Sequence, residues 1–183
     1  VYQGPAEDAT NQSPAGGLAV AASAIGATTV TLTGSLTLAA NLLAGGFLSV
    51  VVTPGQGQNL KIKSNTAVSG AANCVITLED PLAVALTTSS KVVLHKNPYD
   101  GCVVAPATLT AAPTGVSPFA VTNAQYGWLQ THGPASCLVT GTFSTAGLAV
   151  GVLVGGTIGS LAPAIAGTNV LGYTMGISAT GEY

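Results

Sequence analysis

Arginine is missing from this chain, and charge of either sign is scarce: four lysines and six acidic residues stand among 183 positions. Charged residues make up 5% of the sequence, where an ordinary soluble domain carries about 25%. From Gly101 to Gly181 no Asp, Glu, Lys or Arg occurs over 81 residues, and a second charge-free stretch runs from Ala9 to Leu60. Charge normally keeps a free monomer wetted and its copies apart. A surface of Thr, Ser, Asn, Gln, Gly and apolar groups is suited instead to permanent contact with other chains. The same scarcity argues against nucleic acid as a partner, since neutralising even about six phosphates takes as many basic groups on one face. Lys61, Lys63, Lys91 and Lys96 share one stretch with Glu79, Asp80 and Asp100, so that stretch is balanced rather than basic and reads as solvent-facing.

Long apolar helices are lacking too. The most apolar segment, GLAVGVLVGGTIGSLAPAI from Gly147 to Ile165, holds five glycines, a proline and two hydroxyl residues. Glycine costs a helix about 1 kcal/mol relative to alanine, and no basic cluster flanks the segment as it would a membrane span. No membrane is expected as a partner. The N-terminal VYQGPAEDATNQSPAGG has no apolar core of a secretory signal. Cysteine is sparse and odd in number: Cys74, Cys102 and Cys137 form no CxxC pair. They read as reduced, small hydrophobes packed in or beside apolar strands.

What is present is strand signal. Val30-Thr31-Leu32-Thr33 alternates apolar and hydroxyl residues, and Leu60-Lys61-Ile62-Lys63 puts both lysines on one face and both aliphatics on the other. Cys74 to Leu78 and Lys91 to Leu94 repeat the pattern. FLSVVV, from Phe47 to Val52, is a continuous apolar run that predicts a strand covered on both faces. Turns are marked by Gly16-Gly17, Gly45-Gly46, Pro54-Gly55, Asn97-Pro98 and Gly133-Pro134. LTLAANLL from Leu36 has room for two helical turns and PLAVAL from Pro81 for one, both short. The fold class is all-β: two small antiparallel β-barrel or β-sandwich domains with an extended N-terminal arm. Composition places the arm at residues 1–17, a first β-domain at 18–104, a proline-containing extended connector at 105–123 and a second β-domain at 124–183. The arm is too polar to fold alone and is expected to be ordered by a partner, with Tyr2, Gln3 and Pro5 as its candidate partner-binding residues.

No constellation supports catalysis. His95 ends the run KVVLHK and His132 stands in THGPAS. A zinc site needs three or four ligands at recognisable spacing, which two histidines and three scattered cysteines do not supply. Ser136 and Cys137 follow His132 closely, but the only acid after Asp100 is Glu182, and a Cys137–His132–Glu182 triad has no motif behind it. Glu79 and Asp80, as strand neighbours, point to opposite faces and cannot act as a pair; before Pro81 they read as the end of a strand. Gly55-Gln56-Gly57-Gln58 lacks the Gly-Lys-Thr/Ser of a phosphate loop and no helix follows, so a β-turn accounts for it better. Tyr126, Trp128 and Phe119 suggest an aromatic sugar platform, yet Tyr126 and Trp128 share one face of a strand, where core or interface packing is the commoner use. No enzyme activity, cofactor or metal is expected.

Three segments in order, AGGFLSVVVTPGQGQNLKIKSN, CVITLEDPLAVALTTSSKVVLHKNPYDGCVVAP and YGWLQTHGPASCLVTGT, resemble a group of small virion proteins of tailed bacteriophages, including phages of cyanobacteria and other aquatic bacteria. These are described as capsid decoration (cement) or minor head proteins. YGWLQ…GP…LVTGT and LEDPL…NPY are the most specific pieces. The resemblance implies an all-β homotrimer on the capsid exterior, made in the host cytoplasm, that clamps neighbouring major capsid subunits and has no catalytic residues. In such proteins a segment like YTMGISATGEY is typically followed by a basic residue and a final apolar strand; for this chain the resemblance leaves that closing strand absent, past Tyr183, or supplied by a neighbour. Other readings that share the compositional argument are a tail, tube or fibre subunit, or a receptor- or glycan-binding module resting on Tyr126 and Trp128.

Overall fold

The structure is a computed structural model that describes residues 1–152, 158–164 and 170–176. Among the described residues it contains fourteen β-strands and no helix, so the all-β class holds. The chain divides into two units, Glu7–Asn97 and a second made of Val1–Ala6 with Pro98–Tyr183.

The strands of the chain's first half begin with β1 (Tyr2–Gln3), which belongs to the second unit. They continue with β2 (Leu18–Val20), β3 (Thr29–Thr33), β4 (Leu36–Leu38), β5 (Phe47–Val52), β6 (Asn59–Asn65), β7 (Val68–Gly70), β8 (Cys74–Leu78) and β9 (Lys91–His95). Six of these close a barrel in the order β2-β3-β8-β6-β5-β9, with β2 pairing back onto β9, and every pairing is antiparallel. Period-2 alternation makes this possible, because each strand offers one apolar row to the interior. Leu60 and Ile62 face in while Lys61 and Lys63 face out, as the sequence pattern requires. Cys74, Ile76 and Leu78 do the same on β8, and Val92 and Leu94 on β9. Bulges at Val50/Val52 in the β5–β9 pairing and at Ile62/Ser64 in the β6–β8 pairing shift the register; such extra residues bend and twist a strand, which helps a short sheet close. β4 and β7 form a separate ribbon that adds Leu36, Leu38 and Val68 to the same core. At the entrance to β5, a Cβ on Gly46 would stand 2.0 Å from the His95 carbonyl oxygen, so only glycine fits between these strands.

The second unit is more sparsely built. β1 lies between β10 (Val103–Val104) and β11 (Pro113–Gly115), and β12 (Ala149–Gly151) lies between β13 (Ala162–Pro163) and β14 (Gly172–Tyr173). Its described buried cluster is Ala105, Phe143, Val150, Val152 and Leu161, against nineteen residues in the barrel unit. Burying one aliphatic side chain contributes about 1.5–3 kcal/mol, so most of the apolar stabilisation among the described residues sits in the barrel.

Several expectations give way. The segment 1–17 is not one free arm: Tyr2–Gln3 is a central strand of the second unit, and residues from Glu7 onward belong to the barrel unit. Leu94 N donates to Gln12 O at 2.9 Å, which ties that stretch to β9. The unit boundary falls at Asn97/Pro98 rather than after residue 104, because Val103–Val104 pairs with β1. Within the expected connector 105–123, Pro113–Gly115 also pairs with β1. FLSVVV is a strand, but covered on one face only: Leu48 and Val50 are buried while Phe47 and Val52 are exposed, since a barrel has one interior. LTLAANLL is not helical; Leu36–Leu38 is strand and turns follow. PLAVAL is irregular and ends in a bridge between Leu86 and Ser23. In Gly147–Ile165 the described residues carry β12 and β13, and no helix among the described residues is long and apolar enough to cross a membrane.

Candidate functional site

The residues with chemical potential are dispersed. His95 ends β9, and its Nδ1 lies 2.7 Å from Glu7 Oε1. Lys61 Nζ lies 3.2 Å from Glu79 Oε2, so Glu79, just past the end of β8, pairs across the outer barrel face rather than with Asp80. Both pairs are well exposed, and contacts of this kind contribute about 0–1 kcal/mol. Asp8 accepts from Asn11 Nδ2 and from the Thr10 and Asn11 amides, and these bonds, the Asn11 side chain foremost, hold its carboxyl below the ordinary range. That arrangement makes a turn, not a reactive acid.

The triad reading has no geometry behind it among the described residues. His132 Nδ1 contacts Thr131 Oγ1 at 3.1 Å, while Cys137 Sγ points to the Ala135 carbonyl at 3.8 Å. Burial pushes the Cys137 thiol up, away from the thiolate that nucleophilic catalysis needs. Glu182 lies outside the described residues. Among the described residues no group of three His, Cys, Asp or Glu side chains is placed to hold a metal ion.

Gly55–Gln58 is the hairpin between β5 and β6, with Gly55 and Gly57 at φ of 87° and 92°. Gln58 has a local task that the sequence did not reveal. Its Oε1 accepts from the Ala83 and Val84 amides at 2.9 and 3.0 Å, and its Nε2 donates to Val84 O at 3.1 Å. The motif thus fastens the segment after Pro81 to the barrel.

Of the candidate partner-binding residues, Gln3 is engaged by its own chain. It is buried, its Nε2 donates to Thr110 Oγ1 at 2.7 Å, and its Oε1 accepts from the Thr110 amide at 3.1 Å. Tyr2 pairs with Val104 and Gly115 and is half-buried, as is Pro5.

The aromatic residues are placed otherwise than the strand pattern predicts. Tyr126 and Trp128 lie in an irregular loop, not on a strand, and with Phe119 they are among the most exposed side chains of the molecule, at 105%, 86% and 76%. They line one cleft of about 310 Å3. A broader groove of about 920 Å3 in the same unit is lined by residues that include His132, Cys137, Leu171, Tyr173 and Met175. Among the described residues no carboxylate, lysine or arginine lines either one. No family model, curated protein or solved structure matches this chain. Among the described residues both clefts are lined by apolar side chains with amide and hydroxyl groups beside them.

Proposed function

We propose that this chain is a structural protein of a tailed-phage virion, a decoration (cement) protein that binds the outer surface of the head and stabilises contacts between major capsid subunits. One observation carries the reading. Phe119, Tyr126, Trp128, Tyr173 and Met175 stand exposed within an 81-residue span that has no charged residue. Exposed apolar groups in such number mark surfaces that other chains cover. The resemblance of YGWLQ…GP…LVTGT and LEDPL…NPY to decoration proteins points the same way.

In this reading the protein works by binding and not by turnover, without cofactor, nucleic acid or membrane. It acts as a homo-oligomer, a trimer, because closed cyclic symmetry covers apolar surface without runaway association. Its place is the capsid exterior after synthesis in the host cytoplasm. The test is to mix the purified protein with heads that lack it and image the particles. Trimeric nodules at fixed positions on the head surface are expected. Unlabelled heads, or labelling confined to a tail tube or fibre, would refute the assignment.

A further inference from the structure

We infer that the loop Ser117–Trp128 forms a binding site for a neutral carbohydrate, with Tyr126 and Trp128 supplying the surfaces on which sugar rings rest. The inference uses three of the exposed residues on which the capsid assignment rests, Phe119, Tyr126 and Trp128, and requires this loop to stay uncovered, which leaves Tyr173 and Met175 for contact with other chains.

The loop is built to hold its shape. Gln125 N donates to Thr122 O at 3.1 Å, closing a turn whose Ala124 sits at φ 60°, a left-handed conformation that costs a residue with a Cβ of the order of 1–3 kcal/mol and gathers at functional sites. A Cβ on Gly127 would stand 2.5 Å from Val121 Cγ2, so the backbone between Tyr126 and Trp128 lies directly against the opposite arm of the loop. The Ser117 hydroxyl bonds the Phe119 carbonyl. These contacts shape an open surface cleft of about 310 Å3 whose exposed lining includes Phe119, Thr122, Gln125, Tyr126 and Trp128. That volume sits at the lower end of small-ligand sites, roughly 300–1,000 Å3, and suits one sugar ring or a short oligosaccharide.

The chemistry of the lining selects the ligand. An aromatic face is electronegative and pairs with the C–H groups on one face of a pyranose. The Thr122 hydroxyl and the Gln125 amide can both donate and accept, as sugar hydroxyls do, and neither side chain is engaged by another described residue. No charged residue occurs from Gly101 to Gly181. An acidic sugar or a phosphate would find no cation in this stretch. A quaternary ammonium would find aromatic faces but no carboxylate, and would leave the hydroxyl and amide without a use. A neutral saccharide matches both parts of the lining.

Trp128 is the chain's single tryptophan, so intrinsic fluorescence reports this cleft directly. The experiment titrates the full chain with a panel of neutral hexose, 6-deoxyhexose and N-acetylhexosamine oligosaccharides. The result expected is a saturable shift in Trp128 emission for at least one of them, unchanged in about 0.5 M NaCl, since screening acts on charge. Tyr126→Ala should weaken that binding about tenfold or more, the loss of one stacked aromatic surface. Its side chain is fully exposed, so the melting temperature should stay as it was; Phe119→Ala, read the same way, guards against a folding defect. Ile25→Ala on the barrel unit should leave the titration curve in place. Three results would overturn the inference: no saturable response across the panel, a response to tetramethylammonium alone, or an emission shift that follows protein concentration and ignores sugar, which would mean that a second copy covers the cleft.

Discussion

Two side-chain amides hold the barrel's loops. Gln58 fastens the segment after Pro81, and Asn65, buried at the end of β6, does the same for the turn before β5. Asn65 Oδ1 accepts from Leu43 N at 2.9 Å, while its Nδ2 donates to Ala39 O at 2.8 Å and Thr66 O at 3.0 Å. Asn65→Ala removes all three bonds and leaves backbone groups without partners, a loss of about 2–3 kcal/mol, measured as a lower denaturant midpoint with an unchanged slope. Neither amide was legible in the sequence, because the segments they fasten, at Ala39 and Leu43 and at Ala83 and Val84, are reached through main-chain groups more than twenty positions away that carry no sequence signature. The thiols were partly legible: apolar neighbours foretold burial for Cys74, which the structure places fully inside on β8. Burial raises both the Cys74 and the Cys137 thiol above the ordinary value of 9.0. A folded-state pKa above the unfolded one leaves stability intact below pH 9.0 and erodes it as pH rises further. At neutral pH, alkylation of the native protein should therefore leave Cys74 unmodified until denaturant is added; rapid labelling of Cys74 in the folded state would contradict its placement.

Elements of five residues or more announced themselves, and shorter ones did not. TVTLT, NLKIKSN, CVITL and KVVLH each contain enough alternation to fix both strand and inward face; the structure keeps that phase throughout β3, β8 and β9, and in β6 as far as Lys63, beyond which the bulge turns Asn65 inward. FLSVVV disclosed the strand but not its exposed outer row, because an unbroken apolar run hides the phase. β1, β10, β13 and β14 are two residues long, too short for any period to be read, and it is tertiary pairing alone that makes them strands. That explains how a polar N-terminal segment became a central strand. Removal of residues 1–6 takes away β1 and with it both pairings, to β10 and β11. The expected outcome is loss of amide protection at Val103, Val104, Thr114 and Gly115 in hydrogen exchange, with protection in the barrel strands retained. Equal loss in both units would show that they fold as one.

At the scale of the whole molecule the governing fact is the distribution of charge. The ion pairs Glu7–His95 and Lys61–Glu79 lie on the barrel unit, while Gly101 to Gly181 contains no Asp, Glu, Lys or Arg. The exposed aromatic loop was only half legible: the residue types were visible, but Tyr126-Gly127-Trp128 alternates as a strand would, and only the fold takes it out of one. The proposed function rests on contacts made by such neutral surface, through apolar burial at about 25 cal/mol per Å2 before association costs and through backbone, hydroxyl and amide bonds. Screening at about 0.15 M salt and above removes mainly exposed charge–charge attraction, of which this surface has almost none to offer. The most direct test is to bind the protein to phage heads, raise sodium chloride stepwise to about 1 M, where the screening length falls to ~3 Å, and measure the fraction that still sediments with the heads. Retention essentially unchanged across the series is predicted; release by a few tenths molar would place the docking surface on the charged Lys61–Asp100 stretch and contradict the account.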